Sequence, residues 1–376
     1  MEKTDADQLK YHHYYKGEAL ALRALLHFDL VRLFGPNYAD EPDKVCMPYV
    51  KVFKFETPKH TTVKNVYENV IADLLLAESL MQGDPILTRD YDEEAENVFP
   101  FLKNRKDKLN LLGVKSLLAR VYYSMRDLDK ANQYAQEVIT NTGPEIRFVN
   151  PEEVAERHEA LIKDEETGDI IGSYGDSAYI LENPDRLFQS EVIAGFKFPD
   201  ENNWQWASYH FNKRPGDQYA LQPDRDVNKW YDATDIRLAA YFTWIPNRNI
   251  YQFHRYEKGT GDFPFISAII RLPELYFISI EHLMYQDLPG AVKMYNEFRA
   301  TRWAEPVDET EIGSADLLFT HLKKEWRREF FGDGQLFYFY KLHDLDIEIN
   351  ANKWLVVPDY AWVLPLPEDE IKYGDN

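Results

Sequence analysis

The 376-residue chain has little that could cross-link it or hold it in a membrane. Cys46 is its one cysteine, so no disulfide can form within the chain. No apolar run approaches the ~18–20 residues needed to span a bilayer, and the first fifteen residues lack the apolar core of a signal peptide. We therefore expect Cys46 to be a buried apolar residue. The chain is either cytosolic or a mature or truncated form of an exported protein.

Basic residues are also scarce. There are 43 Lys and Arg against 64 Asp and Glu, which gives a formal net charge of −21. A nucleic-acid surface needs clustered Lys and Arg, so nucleic acid is excluded as a partner. The same charge disfavours direct electrostatic binding to anionic lipid. We expect a self-repelling, solvated surface.

Motifs for metals, cofactors and nucleophilic catalysis are missing as well. No two histidines have the His-x-x-x-His spacing of a zinc site, and the acidic stretch 90–96 lacks the glycine-bearing rhythm of an EF-hand. No Gly-x-Ser-x-Gly, P-loop or dinucleotide fingerprint is present. The sequence thus predicts no metal, no cofactor and no catalytic residue.

Helical periodicity is abundant by contrast. In the segment 10–34, Leu20, Ala24, Phe28 (or His27) and Val31 follow three- and four-residue steps and predict one buried helix face. Gly35-Pro36 should end this helix, because glycine tolerates left-handed backbone and proline cannot continue a helix. A second helix is predicted from Val63 to Met81, and its buried face is expected to comprise Val63, Val66, Val70, Leu74, Ala77 and Met81.

Small residues then recur at tetratricopeptide-like spacing. Leu118-Ala119, Tyr122 and Ala131 predict a helical hairpin in which Asp129 caps the second helix. The spacing returns at Ser279, His282 and Ala291, with Asp287-Leu288-Pro289 expected to start the second helix of that pair. A last helical pair is predicted over 314–331 and 335–343, joined by a Gly-Asp-Gly turn. The apolar face of its first helix is expected to comprise Leu318, Leu322, Trp326 and Phe330.

These patterns predict a mainly α fold, a scaffold of tetratricopeptide-like helical hairpins with a large irregular, loop-rich region packed on one side. The predicted subdivisions of the single fold, 1–376, are two hairpins (10–142), an irregular aromatic-rich region (143–271), two further hairpins (272–343) and an extended C-terminal segment (344–376). The last is expected to be extended because its prolines oppose helix.

Five segments in order resemble the SusD/RagB family of surface glycan-binding lipoproteins of Bacteroidetes. They are GEALALRALLHFDLVRLFG (17–35), SLLARVYYSMRDLDKANQYAQEVI (116–139), ALQPDRDVNKWYDATDIRLAAYFTW (220–244), EWRREFFGDGQLFYFYKL (325–342) and VLPLPEDEI (363–371). The fourth departs from the family pattern, with Asp333 in place of Glu and Leu336-Phe337 in place of Arg-Trp.

The resemblance implies a non-catalytic outer-membrane protein at the cell surface. Such a protein captures an oligosaccharide or polysaccharide and delivers it to a SusC-like TonB-dependent transporter. It implies a lipid anchor, absent from this chain, as the membrane attachment, and a further N-terminal part before the first helix. A competing hypothesis is a tetratricopeptide adaptor that binds a protein partner and no sugar.

The aromatic stretch 196–256 is the candidate glycan site. Sugars stack on flat aromatic faces, and amides accept and donate hydrogen bonds to their hydroxyls. We therefore expect glycan contacts from this stretch, at Trp204, Trp206, Tyr209, Asn203, Trp244 and Tyr251. Four other aromatic residues flank the helix expected within the family-like segment 220–244. They are expected to be buried in the core, namely Trp230, Tyr231, Tyr241 and Phe242. A fallback site is the loop 36–59, with Tyr38 and Tyr49.

Two carboxylates on one predicted helix face, Glu325 and Glu329, resemble a glycosidase acid/base pair. That chemistry needs one carboxyl with a raised pKa. The neighbouring Arg327 and Arg328 would instead keep both carboxylates ionised. We expect structural ion pairs here.

Overall fold

A computed structural model of the chain divides it into two compact units. Unit 1 comprises Met1–Glu145, Asp333–Ile349 and Trp354–Asn376, and unit 2 comprises Ile146–Gly332 and Asn350–Lys353. The structure describes residues 5–88, 100–157, 161–163, 170–173, 178–180, 185–198, 225–245, 250–253, 255–256, 266–350 and 353–374. The subdivisions predicted from the sequence remain predictions.

Helices dominate the described residues, which confirms the mainly α prediction. Those of unit 1 are α1 (Asp5–Phe34), α2 (Val63–Leu80), α3 (Leu111–Ser124), α4 (Leu128–Ile139), α9 (Gln335–His343) and α10 (Glu368–Tyr373). Those of unit 2 are α5 (Ile236–Tyr241), α6 (Leu272–Leu283), α7 (Leu288–Ala300) and α8 (Ala315–Phe330).

The described strands are short and form two-stranded sheets. They are β1 (Val45–Met47), β2 (Thr61–Thr62), β3 (Ala155–Arg157), β4 (Leu161–Lys163), β5 (Ile170–Ser173), β6 (Ala178–Ile180), β7 (Val192–Lys197), β8 (Phe242–Ile245), β9 (Ile250–Phe253), β10 (Ile266–Arg271), β11 (Ile347–Asn350) and β12 (Lys353–Leu355). Antiparallel partners are β1 with β2, β3 with β6, β4 with β5, β7 with β10, and β8 with β9. Most strands therefore fall in the region predicted to be irregular.

The first helical hairpin packs α1 against α2. All six apolar residues predicted for the α2 face, Val63 to Met81, are fully buried. The α1 prediction needs correction, since Leu20 is only half-buried and Ala21 occupies the core instead. Ala24, Phe28 and Val31 are buried as predicted. One helix face therefore does enter the core, rotated slightly from the predicted one.

The end of α1 falls where the sequence placed it, for a different reason. Gly35 does not adopt positive φ, but a Cβ there would lie 2.9 Å from the Val31 carbonyl oxygen. The Gly35 N–H donates to that same oxygen at 2.9 Å. Lys341 Nζ donates to the carbonyl oxygens of Arg32 (2.6 Å) and Gly35 (2.7 Å). Close packing and a cationic cap thus end the helix.

Helices α3 and α4 form the hairpin predicted from the alanine spacing. Ala119 and Ala131 are both completely buried, which allows the two helices to approach closely. The predicted cap was wrong by two residues, because Asp127, not Asp129, accepts from the backbone N–H of Lys130. Asp127 holds the non-helical position before the first turn, as a capping residue must.

The C-terminal segment is not extended throughout. A short 3-10 turn spans Asp359–Trp362, and α10 begins directly after Pro367. Proline is tolerated at a helix start because no intrahelical bond is lost there. Extended backbone between these elements brings the Leu364 N–H to the Leu33 carbonyl oxygen at 2.9 Å.

Candidate functional site

Most of the sequence-predicted glycan site lies outside the described residues. Asn203, Trp204, Trp206 and Tyr209 all fall in the range 199–224. Their assignment as glycan contacts therefore stays a prediction. The described parts of the stretch are 196–198, 225–245, 250–253 and 255–256.

Strands β8 and β9 carry the remaining two candidates. Trp244 and Tyr251 are directly opposed in this antiparallel pair. Tyr251 is half-buried and packs against the buried aromatic cluster of unit 2, and burial raises the pKa of its phenol. The ring is therefore only partly available to a ligand.

The four aromatic residues expected in the core are there. Trp230, Tyr231, Tyr241 and Phe242 are all buried in one cluster of unit 2. Tyr231 donates its hydroxyl hydrogen bond to the Arg328 carbonyl oxygen at 3.0 Å. These rings attach the irregular region to helix α8 and are closed to a sugar.

Gly332 packs closely against Phe253, the last residue of β9. Its φ is +82°, and a Cβ there would lie 2.7 Å from the Phe253 ring. The Tyr256 hydroxyl also donates to the Gly332 carbonyl oxygen, at 3.1 Å. A side chain at position 332 would displace Phe253 and with it the pair of strands that carries Tyr251.

The carboxylate of Glu325 is fully buried among cations. Its Oε2 accepts from Arg299 at 2.8 Å and Arg328 at 2.9 Å, and its Oε1 lies 2.5 Å from Arg237 Nη2. The Tyr295 hydroxyl adds a fourth contact at 2.9 Å. Burial alone would raise the pKa of Glu325, but the three arginines lower it far below its usual range.

Glu329, one turn further along α8, is held in the same way. Oε1 accepts from Arg271 at 2.6 Å, and Oε2 accepts from Arg302 at 3.1 Å and Arg237 at 3.1 Å. Burial opposes ionisation, but Arg302, Arg271 and Arg237 hold the pKa of Glu329 well below its usual value. Arg302 also forms a double hydrogen bond with Glu191, at 2.7 and 2.8 Å.

We call these buried groups the ion-pair network; its members are Glu191, Asp235, Arg237, Arg271, Arg299, Arg302, Glu325 and Glu329. Four anions face four cations, and every member is at most 5% exposed. The network joins α8 to α5, to α7, to β10 and to the 3-10 turn Gln189–Glu191 that precedes β7, all within unit 2. Neither Glu325 nor Glu329 can serve as a proton donor near neutral pH, because both are held ionised. The expectation of structural ion pairing is thus supported by geometry.

The fallback site in unit 1 contains two tyrosines with structural contacts. The Tyr49 hydroxyl donates to Asp73 Oδ2 at 2.6 Å. The Tyr38 ring packs on Tyr67 with centroids 5.0 Å apart. Both are half-buried, so neither offers an open ring face for stacking.

His27 attaches this loop to α1. Its Nδ1 lies 2.8 Å from the Arg23 carbonyl oxygen, and its Nε2 lies 3.0 Å from the backbone nitrogen of Val50. The carbonyl requires an N–H on Nδ1 and the Val50 N–H requires a lone pair on Nε2, so this arrangement fits the neutral ring. Arg23 Nη1 also donates to the Lys51 carbonyl oxygen at 3.1 Å.

A cavity of about 250 Å³ lies beside this attachment. Its lining is mainly apolar: Leu30, Phe34, Cys46, Met47, Pro48, Val50, Leu366 and Pro367, with His27, His60 and Glu370. His60 Nε2 is engaged with Glu370 at 2.7 Å, and both ring nitrogens of His27 are occupied. We do not assign this cavity to a sugar, because its polar groups are already bonded within the protein.

Cys46 is buried in the wall of this cavity, as its isolation in the sequence predicted. Burial raises the pKa of its thiol to about 11. A thiol of this kind is unreactive near neutral pH.

Within the described ranges, no group of three or more His, Cys, Asp or Glu side chains is placed to hold a metal ion. Over the same part of the chain, no helix has the length and apolar character that crossing a membrane requires.

Comparison with known proteins identifies the fold. Residues 1–90 match the SusD-like family described as "Starch-binding associating with outer membrane". A SusD superfamily protein from Bacteroides thetaiotaomicron has a TM-score of 0.69 and 22% identity, covering 100% of this chain and 78% of that one. No curated protein matches the chain.

Two further crystal structures from Bacteroides vulgatus are similar. A SusD-like carbohydrate binding protein has a TM-score of 0.62 and 19% identity, covering 92% of this chain and 65% of that one. A putative sugar binding protein has a TM-score of 0.68 and 21% identity, covering 99% and 78%. The chain is therefore SusD-like in fold, and over its first 90 residues in sequence, which confirms the resemblance inferred from its motifs.

Proposed function

We propose that this protein is a non-catalytic, glycan-binding component of the cell surface that captures an oligosaccharide. The observation that carries the proposal is the SusD-like fold over the whole chain, shared with a SusD-like carbohydrate binding protein. The match of residues 1–90 to a starch-binding family supports the same ligand class.

The binding residues that we propose lie in the stretch 196–256. Trp204, Trp206 and Tyr209 supply stacking faces, and Asn203 supplies hydrogen bonds to hydroxyls. Trp244 and Tyr251 contribute from the β8–β9 pair, Tyr251 through the exposed part of its ring. The buried aromatic cluster and Gly332 support the β8–β9 pair that carries Tyr251. Such support favours binding, because ordering a free strand pair on binding would cost affinity.

The proposed fate of the glycan is delivery to a SusC-like TonB-dependent transporter in the outer membrane. The family description "associating with outer membrane" supports this location. Stacking of a few rings contributes about 0.5–1.5 kcal/mol each. After the cost of ordering the ligand, we expect dissociation constants in the micromolar to millimolar range. Weak binding of this kind permits rapid transfer.

Calorimetric titration after a glycan-array screen tests the binding site. The Trp204→Ala/Trp206→Ala double variant should reduce saccharide affinity at least about tenfold, since two stacking contacts are removed. Tyr360→Ala is the matched control, because this ring is 82% exposed and lies outside the stretch. Its affinity should equal that of the wild type.

The tetratricopeptide adaptor remains the competing function. An adaptor would bind no saccharide on the array, and the double variant would behave like the wild type. Binding of sugar that survives loss of both tryptophans would move the site elsewhere without changing the function.

A further inference from the structure

The loop between β1 and β2 has an unusually exposed tip. Every residue from Lys51 to Lys59 is exposed. Phe53 is 83% and Phe55 is 99% exposed, and Val52 is 66% exposed. The two phenyl rings contact each other edge to face, with centroids 5.4 Å apart. Large apolar side chains this exposed usually mark an interaction site.

The base of the same loop is firmly attached. The Val50 N–H donates to His27, and Arg23 donates to the Lys51 carbonyl oxygen. The Tyr49 hydroxyl donates to the buried carboxylate of Asp73. At the other end Thr61 and Thr62 pair with β1. The rings are therefore presented on a fixed support, so their exposure does not result from a free chain terminus.

The charge of the tip is opposite to that of the chain. The segment 51–59 contains three lysines, Lys51, Lys54 and Lys59, and one acidic residue, Glu56. Its net charge is therefore positive, whereas the net charge of the whole chain is −21. Among described residues, none of these three lysines forms an ion pair. Unpaired cations beside exposed apolar rings suit a surface that is anionic outside and apolar beneath.

We propose that the tip Lys51–Lys59 binds an anionic, phosphate-bearing lipid surface. Phe53 and Phe55 enter the interfacial layer, and Lys51 and Lys54 extend to headgroup phosphates. The inference rests on the proposed function only for its location at the cell surface. The acidic remainder of the chain does not prevent this contact, because charges more than about 8–10 Å away are largely screened at physiological salt.

Co-sedimentation of the full chain with vesicles tests the contact. The probes are vesicles of phosphatidylethanolamine with phosphatidylglycerol, and neutral vesicles of phosphatidylcholine. The wild type should bind the anionic vesicles better than the neutral ones. Phe53→Ser/Phe55→Ser should weaken binding at least about tenfold, because the two phenyl groups expected to enter the lipid are lost. Lys54→Glu should weaken it and reduce its salt dependence.

A matched control separates this tip from exposed aromatic residues in general. Tyr360→Ser removes a ring that is 82% exposed in the same unit, and it should leave vesicle binding unchanged. Saccharide affinity should be unaffected by the Phe53→Ser/Phe55→Ser variant. Failure of the lipid contact would therefore leave the glycan proposal standing, and the reverse also holds.

A labelled cysteine locates the contact directly. Cys46 is buried, so Thr57→Cys can carry an environment-sensitive fluorophore alone. Its emission should shift to the blue on anionic vesicles. Gln82→Cys, beyond the far end of α2 and about 27 Å along that helix, should show no shift.

Three results would overturn the proposal: a wild type that binds the anionic vesicles no better than the neutral ones, equal binding by the double variant, or equal shifts at both labels. A Thr57 label that responds to a purified outer-membrane protein and not to vesicles would assign the tip to a protein partner instead.

Discussion

The buried carboxylate of Glu329 accepts hydrogen bonds from three arginines, Arg237, Arg271 and Arg302. Glu329→Gln keeps the shape of the side chain but leaves three buried guanidinium groups short of one negative charge. Removing one partner of a buried ion pair costs about 3–5 kcal/mol. We expect a loss of that size in the free energy of unfolding, measured by urea denaturation with circular dichroism.

Glu309→Gln is the control for this substitution, because Glu309 is exposed and should change stability by less than about 0.5 kcal/mol. Equal stability of the two variants would show that the network does not contribute to the stability of the fold.

The dependence of stability on acid pH follows from the lowered pKa values of Glu325 and Glu329. Both carboxylates contribute stability above their unfolded value of 4.5, and that contribution is lost only as pH falls far below it.

Lys341 in unit 1 gives a pH dependence of the same sign at higher pH, with burial rather than ion pairing as the cause. Burial, aided by Arg32, lowers the pKa of Lys341 to about 8 from 10.5. Between these values the unfolded chain binds more protons, so the free energy of unfolding attributable to Lys341 rises with pH. Below about pH 8 both states are protonated and the contribution is constant.

We therefore expect the stability difference between wild type and Lys341→Met to grow in favour of the wild type from about pH 8 to pH 10. Paired denaturation curves at each pH measure it, since tyrosines and other lysines titrate alike in both proteins. A difference that stays constant over this range would contradict the lowered pKa.

At the scale of elements, the α3–α4 hairpin depends on small side chains. Ala131 is completely buried, so Ala131→Leu would push the helices apart at a cost of about 1–3 kcal/mol. Ala72→Leu on the exposed side of α2 should cost almost nothing, since leucine and alanine both favour helix. Thermal melting of the two variants makes the comparison. Equal melting temperatures would mean that the crossing is looser than the burial of Ala131 implies.

The helices were predictable because their information is local. The α2 and α8 faces follow directly from apolar spacing, and Asp287 was correctly placed at the start of α7. The Asp127 cap was missed because two aspartates stand near one helix start and only the backbone conformation decides between them. The paired strands of unit 2 were not predictable, since β7 pairs with the distant β10.

The candidate site could also be predicted only where its contacts are local in the sequence. Glu325 and Glu329 could be recognised as an ion-paired face from their neighbours on α8. Arg237, Arg271 and Arg302 could not, because they come from distant segments that only the fold brings together. The exposure of Phe53 and Phe55 was also missed, since an aromatic residue in a loop is as often buried as exposed, and no periodicity reports which.

At the scale of the whole molecule, the proposal excludes hydrolysis of the captured glycan. Incubation with any saccharide that binds should release no new reducing ends between about pH 5 and pH 8, because Glu325 and Glu329, the carboxyl pair that resembles a glycosidase site, are both held ionised. Buffer and heat-denatured protein serve as blanks. Release that disappears in Glu329→Gln, with the variant still folded, would contradict a purely binding function.

The ion-pair network has a further consequence on heating. The hydration of charged groups becomes less favourable as temperature rises, so the penalty for burying these eight charges declines. Hydrophobic stabilisation per unit area levels off over the same range. The part of unit 2 built around α8 should therefore retain its order on warming better than helix pairs held by apolar contacts alone, and the strands attached to it should be among the last elements to melt.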